Sequence, residues 1–178
     1  MPDIVIQHVA AASLAIVFMV GAWQKLRDRI GFEIALDNYD LLPAALVKPV
    51  AWLLPAFEFA TGLALVSPWR TNGGVMALLL LGFVTAGVVV NLLRGRTDVG
   101  CGCGGIEDEQ LLSWALVARN GVLALGACAT LGAGVARPLA WLDYVTVVGA
   151  TLSAYALYVA ANQLIANRPR LARLRRPA

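Results

Sequence analysis

The chain has 178 residues, 60% of them hydrophobic and 14% charged, and its mean hydropathy is +0.74. A soluble domain is about 45–50% apolar and about 25% charged, and so short a chain cannot hide the excess in one core, so lipid must cover the rest and a single membrane domain is expected. The net charge of +3 does not point to nucleic acid, because the basic residues sit at the ends of apolar runs and not on one face of a soluble module.

A helix needs about 20 mostly apolar residues to cross the hydrocarbon. The first such run is Ile4 to Trp23, interrupted by Gln7, His8 and Ser13. Met1 to Asp3 carries no charged n-region and no small-residue cleavage site follows, so this run is expected to be a retained first span. His8, the sole histidine, lies near its end and reads as an interfacial residue. From Gln24 to Pro43 the apolar residues are too dispersed to span, and a short helix lying at the interface is expected. The second span covers about 44–66 and contains Lys48, Pro49, Pro55 and Glu58. Pro68 to Gly74 reads as a turn by composition. The third span, 75–93, is the cleanest, and the main polar loop, 94–110, follows it. The fourth span covers 111–131 and carries Arg119, Asn120 and Cys128, the last read as a small buried hydrophobe. After Gly132 to Pro138 comes a fifth span at about 139–165, then an Arg-rich tail, 167–178, expected to lie exposed beside the membrane. The expected fold is an all-α integral membrane bundle of about five transmembrane helices, four of them forming the core.

Five spans place the first loop, the third loop and the C-terminus on one side. That side carries eleven Lys and Arg residues, among them Lys25, Arg27, Arg29, Arg94 and Arg96. The other side has Arg70 and Arg137, with Arg119 inside the membrane. Positive residues mark the cytoplasmic side, so an external N-terminus and a cytoplasmic C-terminus and third loop are expected.

Two of the three cysteines fall in that loop, as Gly100-Cys101-Gly102-Cys103-Gly104-Gly105. Glycine admits the positive φ values that a disulfide closed over one residue demands. Strained bridges are the labile, exchanging kind, so Cys101 and Cys103, supported by Gly102 and Gly104, suit a dithiol oxidised and reduced in turn. Two alternatives stand beside it. The thiolate pair could hold a soft ion such as Cu(I), or it could be an exposed Gly-rich loop without chemistry. Zinc and iron–sulfur sites lack the ligands, since neither a second cysteine pair nor a histidine cluster is present.

Charged groups within a span are functional candidates by default. Glu58 and Arg119 both fall roughly 12–15 Å in from the same face at the helical rise. They are therefore expected to pair across the second and fourth spans, either fixing the packing or bordering a quinone pocket or proton path. Asn91 and Asn120 are further candidates for joining helices, and Trp52, Trp69, Trp114 and Trp141 for interfacial anchors.

Taken together, the landmarks resemble the MauE family, methylamine-utilisation membrane proteins within a wider DoxX-like group. They are Lys25-Leu26-Arg27-Asp28, Phe32, Tyr39, Leu41-Leu42-Pro43, Pro55, Glu58, Gly62, Cys101-Gly102-Cys103-Gly104 and Arg119-Asn120, spread over roughly residues 20 to 125. The resemblance implies disulfide formation or relay for exported proteins beside thioredoxin-like partners, and the related group implies thiosulfate or quinone redox chemistry. Carried over, Cys101 and Cys103 would be the exchanging dithiol, with Glu58 and Arg119 the intramembrane polar pair. Gly104-Gly105 stands where the family's motif often has an aromatic before its glycine, which loosens the loop. Exported substrates would place the dithiol outside, whereas the charge count places it inside.

The leading expectation is thus a membrane thiol–disulfide oxidoreductase or electron relay, with a thioredoxin-like partner and a quinone as second acceptor. A soft-metal or thiol-compound transporter, and a non-catalytic assembly subunit of a membrane redox complex, are the alternatives.

Overall fold

The computed structural model describes residues 3–102, 110–132 and 140–174, with the side chains of the last helix described as far as Asn167. Cys103, Gly104 and Arg137 lie outside the described residues, as do the side chains of the Arg-rich tail. Among the described residues six helices follow one another: α1 (Ile4–Arg27), α2 (Arg29–Asn38), α3 (Ala44–Leu65), α4 (Arg70–Leu93), α5 (Trp114–Leu131) and α6 (Trp141–Leu174). All but α2 are long and apolar enough to cross a membrane. The chain is an all-α, multi-pass membrane protein.

The core is a closed ring in which α1 packs on α3, α3 on α4, α4 on α5 and α5 back on α1. Small residues make the close approaches. A Cβ on Gly62 of α3 would stand 3.1 Å from the Ala15 carbonyl of α1, and one on Gly73 of α4 would stand 2.7 Å from the Leu65 backbone nitrogen. Inside lipid, where the surroundings are as apolar as the side chains, such close packing holds helices together. Outside the ring, α6 lies against α1 and is the least buried of the five spans. Large apolar side chains such as Leu79, Leu93, Leu125 and Leu157 point outward, a surface made for acyl chains and not for water.

Three local expectations are revised. The stretch 68–74 was expected to be all turn, but α4 begins at Arg70 and takes in Gly73 and Gly74. Gly74 packs its bare Cα against Thr130 of α5, so these glycines serve helix contact and not chain reversal. At the C-terminal end α6 runs on to Leu174, past the expected end near 165. Its 34 residues are roughly 51 Å long at the helical rise, more than a bilayer core is thick. Cys128, expected to be buried, is an exposed free thiol on the outer face of α5. Its apolar neighbours match lipid as well as they would match a core, so composition alone does not distinguish the two.

Pro49 and Pro55 leave α3 unbroken. Neighbouring helices and local adjustment tolerate proline in membrane helices, despite the backbone bond it removes. The short α2 is capped by Asp28, whose carboxylate accepts from the Gly31 N–H. Its Phe32 points into the bundle while Ile30 and Ile34 point out, and Arg29 stacks over the exposed Trp52 ring at 4.9 Å. That is the amphipathic, interface-lying arrangement expected for the segment.

Candidate functional site

The Cys loop is closed at its neck by backbone pairing. Cys101 N–H donates to the Gln110 carbonyl at 2.7 Å, and Leu112 N–H to the Val99 carbonyl at 3.0 Å. Val99, Cys101, Leu112 and Leu116 turn inward and join Val88 and Leu92 in one apolar cluster, so Cys101 is 7% exposed. The expected surface dithiol therefore has one cysteine buried. Gly102 is needed twice over: its φ is +67°, and a Cβ there would lie 2.8 Å from the Ala35 Cβ of α2. Only glycine meets both demands.

The turn after α2 holds this neck in place. Tyr39 donates its hydroxyl to the Cys101 carbonyl at 3.2 Å. Arg96 donates to the Asn38 and Tyr39 carbonyls, and Arg94 to the Asp40 carbonyl, so two arginines from the end of α4 fill the open carbonyls of α2. These bonds bring the first and third loops to one end of the bundle. Burial pushes the Tyr39 phenol up to about 12, against a smaller opposing pull from Arg119, so it remains a donor at ordinary pH.

Between α2, α3, α4 and the Cys loop lies an apolar cavity of about 290 Å³. Phe32, Leu36, Leu54, Phe83, Val84 and Val90 line it, with Gly87 leaving room, and Cys101 and Gly102 form part of its wall. Among its described lining side chains, Lys25 and Tyr39 carry N–H or O–H groups, that of Tyr39 being already donated to the Cys101 carbonyl. A largely apolar pocket with a few placed donors suits a flat lipophilic molecule bearing ring oxygens.

The expected Glu58–Arg119 pair is not formed. Glu58 is 6% exposed and accepts from Lys25, whose Nζ lies 2.8 Å from both carboxylate oxygens. Lys25 looked like an end-of-span charge. However, α1 continues to Arg27, and helical side chains lean toward the N-terminus, which here points into the membrane. Gly21, one turn back, lies beside the pair: a Cβ there would make ordinary contact with Nζ at 3.7 Å. Arg119 is satisfied elsewhere. It donates to the Asn120 side chain and, at 2.8 Å, to Asn162 of α6, and stacks over Tyr158 at 5.9 Å. Asn120 donates in turn to Thr85 of α4 at 3.0 Å. Glu58, Lys25, Arg119 and Asn120 nevertheless border one small cavity of about 70 Å³. Asn91 is fully buried but bonds only within α4, to the Gly87 carbonyl.

Several participants escape a reading by hydropathy. Lys25, Tyr39 and Phe32 stand out as landmarks of the resemblance, yet nothing in their spacing tells that they share a cavity with Cys101. At the opposite end, Gln7 is completely buried, accepting from Arg70 at 2.8 Å and donating to the Gly132 carbonyl at 2.7 Å. Its signal was a glutamine inside an apolar run. His8 bonds the Ile4 carbonyl of its own helix at 2.7 Å.

A family model described as methylamine utilisation protein MauE matches residues 4–134. The chain is 39% identical over 155 residues to the methylamine utilization protein MauE of Paracoccus versutus, covering 85% of this chain and 82% of that one. Over 153 residues it is 35% identical to the protein of the same name from Paracoccus denitrificans, with the same two coverages. The Methylorubrum extorquens protein of that name is 35% identical over 120 residues, 65% of this chain and 63% of its own length. No solved structure matches the chain.

Proposed function

The chain belongs to the MauE family, and on that premise we propose that it is a membrane thiol–disulfide relay serving methylamine utilisation. Cys101 and Cys103 are its exchanging pair. The observation that carries this reading is the placement of Cys101 in the wall of an apolar, donor-bearing cavity within the membrane bundle. A cysteine meant only for packing has no need of such a cavity.

The two cysteines divide the work. Cys101 is buried, so Cys103 is the sulfur that a soluble, thioredoxin-like partner attacks. The partner's thiolate displaces Cys101 and forms a mixed disulfide with Cys103. The partner's second thiol then closes its own disulfide and releases the pair reduced. A quinone held in the cavity would supply the two-electron oxidant for re-forming the Cys101–Cys103 bond, with Lys25 and Cys101 beside it. Two thiol protons are given up and two are taken by the ring oxygens. The cavity residues fit that acceptor: Phe32 and Phe83 supply apolar wall, and Lys25, with two of its three N–H groups on Glu58, has one left for a ring oxygen.

The reading is tested by trapping. In a methylamine-growing host lacking its own copy, Cys101→Ser leaves Cys103 able to hold the partner as a mixed disulfide, and Cys103→Ser traps nothing. A membrane-impermeant maleimide applied to intact cells reports the side of the loop, which the charge distribution assigns to the cytoplasm. If the double variant Cys101→Ser, Cys103→Ser supports growth on methylamine as well as wild type, the relay is wrong and a non-catalytic assembly role takes its place.

A further inference from the structure

Lys25 has an unusual position: it is in the wall of two cavities, the apolar one beside Cys101 and the small one that Glu58, Arg119 and Asn120 also border. We infer that the Lys25–Glu58 pair is a proton relay between them, with Lys25 as the proton donor to the acceptor's ring oxygen and Glu58 as the group through which Lys25 is recharged. This inference rests on the proposed dithiol-to-quinone reaction.

The chemistry requires a relay. When the dithiol closes, its two protons are released at the sulfurs, and that of Cys101 lies at the loop neck. The oxygens that must take up two protons lie in a mainly apolar cavity, and besides Cys101 itself only Lys25 and Tyr39 among its described lining side chains carry N–H or O–H protons. Tyr39 already donates to the Cys101 carbonyl, and burial pushes its phenol up to about 12, which makes it a poor proton source. Lys25 is the better one. It holds Glu58 through both carboxylate oxygens at 2.8 Å, so a proton it gives up can be replaced along that contact without moving a helix.

The replacement comes from the second cavity. Its volume of about 70 Å³ is enough for a few water molecules, each needing roughly 10–15 Å³ by this measure, and Lys25, Glu58, Arg119, Asn120 and Tyr158 on its otherwise apolar wall provide their partners. The other charged or titratable groups around the pair are Arg119 from α5, Tyr158 from α6 and Tyr39 from the turn after α2. Arg119 stays protonated and is tied to two asparagines, so it does not compete as a carrier.

The test uses the full chain in nanodiscs, reduced anaerobically, freed of reductant and mixed with a short-tail ubiquinone. Quinol formation is followed across pH, with quinone binding, thermal stability and maleimide reactivity of the thiols measured alongside. Lys25→Arg keeps the charge and the ion pair but cannot release a proton. It is expected to bind quinone within about 3-fold of wild type yet form quinol about 100-fold more slowly, the usual scale of a lost general acid. Glu58→Gln is expected to flatten the pH profile while thiol reactivity is unchanged. Should Lys25→Arg lower the melting temperature, the near-isosteric Glu58→Gln decides alone. Wild-type rates in Lys25→Arg, or an unchanged pH profile in Glu58→Gln, overturn the relay and leave the dithiol–quinone reaction standing. Loss of quinone binding in both variants also overturns it, since the pair would then shape the site and not move protons. If the wild-type protein keeps its thiols reduced in the presence of quinone, the underlying reading falls and the relay goes with it.

Discussion

Two cationic side chains border the same small cavity, and they differ in what they are bonded to. Lys25 meets a carboxylate, and its pair with Glu58 links two groups that can each lose or gain a proton. Arg119 meets three amides or rings that do not carry charge: Asn120, Asn162 and Tyr158. Its guanidinium keeps its proton under all ordinary conditions, and it ties α5 to the loosely packed α6. The lesson is that a buried charge in a membrane bundle is identified by its partner. Lysine with glutamate has the makings of chemistry, whereas arginine with asparagine is an architectural clasp.

The sharpest way to break that distinction is Glu58→Ala. It leaves the Lys25 ammonium buried without its counter-charge and is expected to cost about 3–5 kcal/mol, read from unfolding in mixed micelles. The double change Lys25→Met, Glu58→Leu should restore most of that loss while quinol formation remains absent. Stability restored without activity would separate the pair's structural share from its chemical one. On the other side of the comparison, Asn162→Ala removes one charge-assisted bond and should cost about 1.5–3 kcal/mol. Its effect should appear as faster amide exchange along α6 and leave the pH profile of quinol formation intact; a shifted profile would mean that the arginine cluster takes part in the chemistry.

Smaller effects test the neighbourhood. Tyr39→Phe loses one neutral hydrogen bond to the Cys101 carbonyl and should cost about 0.5–1.5 kcal/mol, seen as a more reactive Cys101 thiol toward maleimide. In the wild type the phenol, raised to about 12 from its ordinary 10.0, favours the folded state below pH 10 and loses that contribution as pH rises toward 12. A tyrosinate absorbance titration showing all four phenols largely ionised at about pH 11 would contradict this. The smallest effect is expected of Cys128→Ser, whose side chain is on the outside of α5: stability should stay within about 0.5 kcal/mol and partner trapping should be unchanged.

Hydropathy and motif spacing by themselves determined the membrane class, the five spans, the interfacial helix after the first and the Cys-Gly-Cys loop, because lipid imposes a length and a polarity on every segment that crosses it. The landmarks at Lys25, Tyr39, Glu58, Cys101 and Arg119 also pointed to the family. Only the tertiary structure decided which of these residues meet. Partner choice depends on how far each helix is rotated and on which way its side chains lean, and neither quantity is written in a hydropathy profile. Counting residues along the spans put Glu58 level with Arg119, yet Lys25 reaches back over Gly21 and takes the carboxylate first. Composition likewise marked Gly73 and Gly74 as a turn, while the packing of α4 on α3 and α5 uses them as contact points. Cys101 was legible as one of two closely spaced cysteines, but its burial beside an apolar cavity follows from the pairing at the loop neck and the grip of Tyr39, the latter joining segments 62 residues apart.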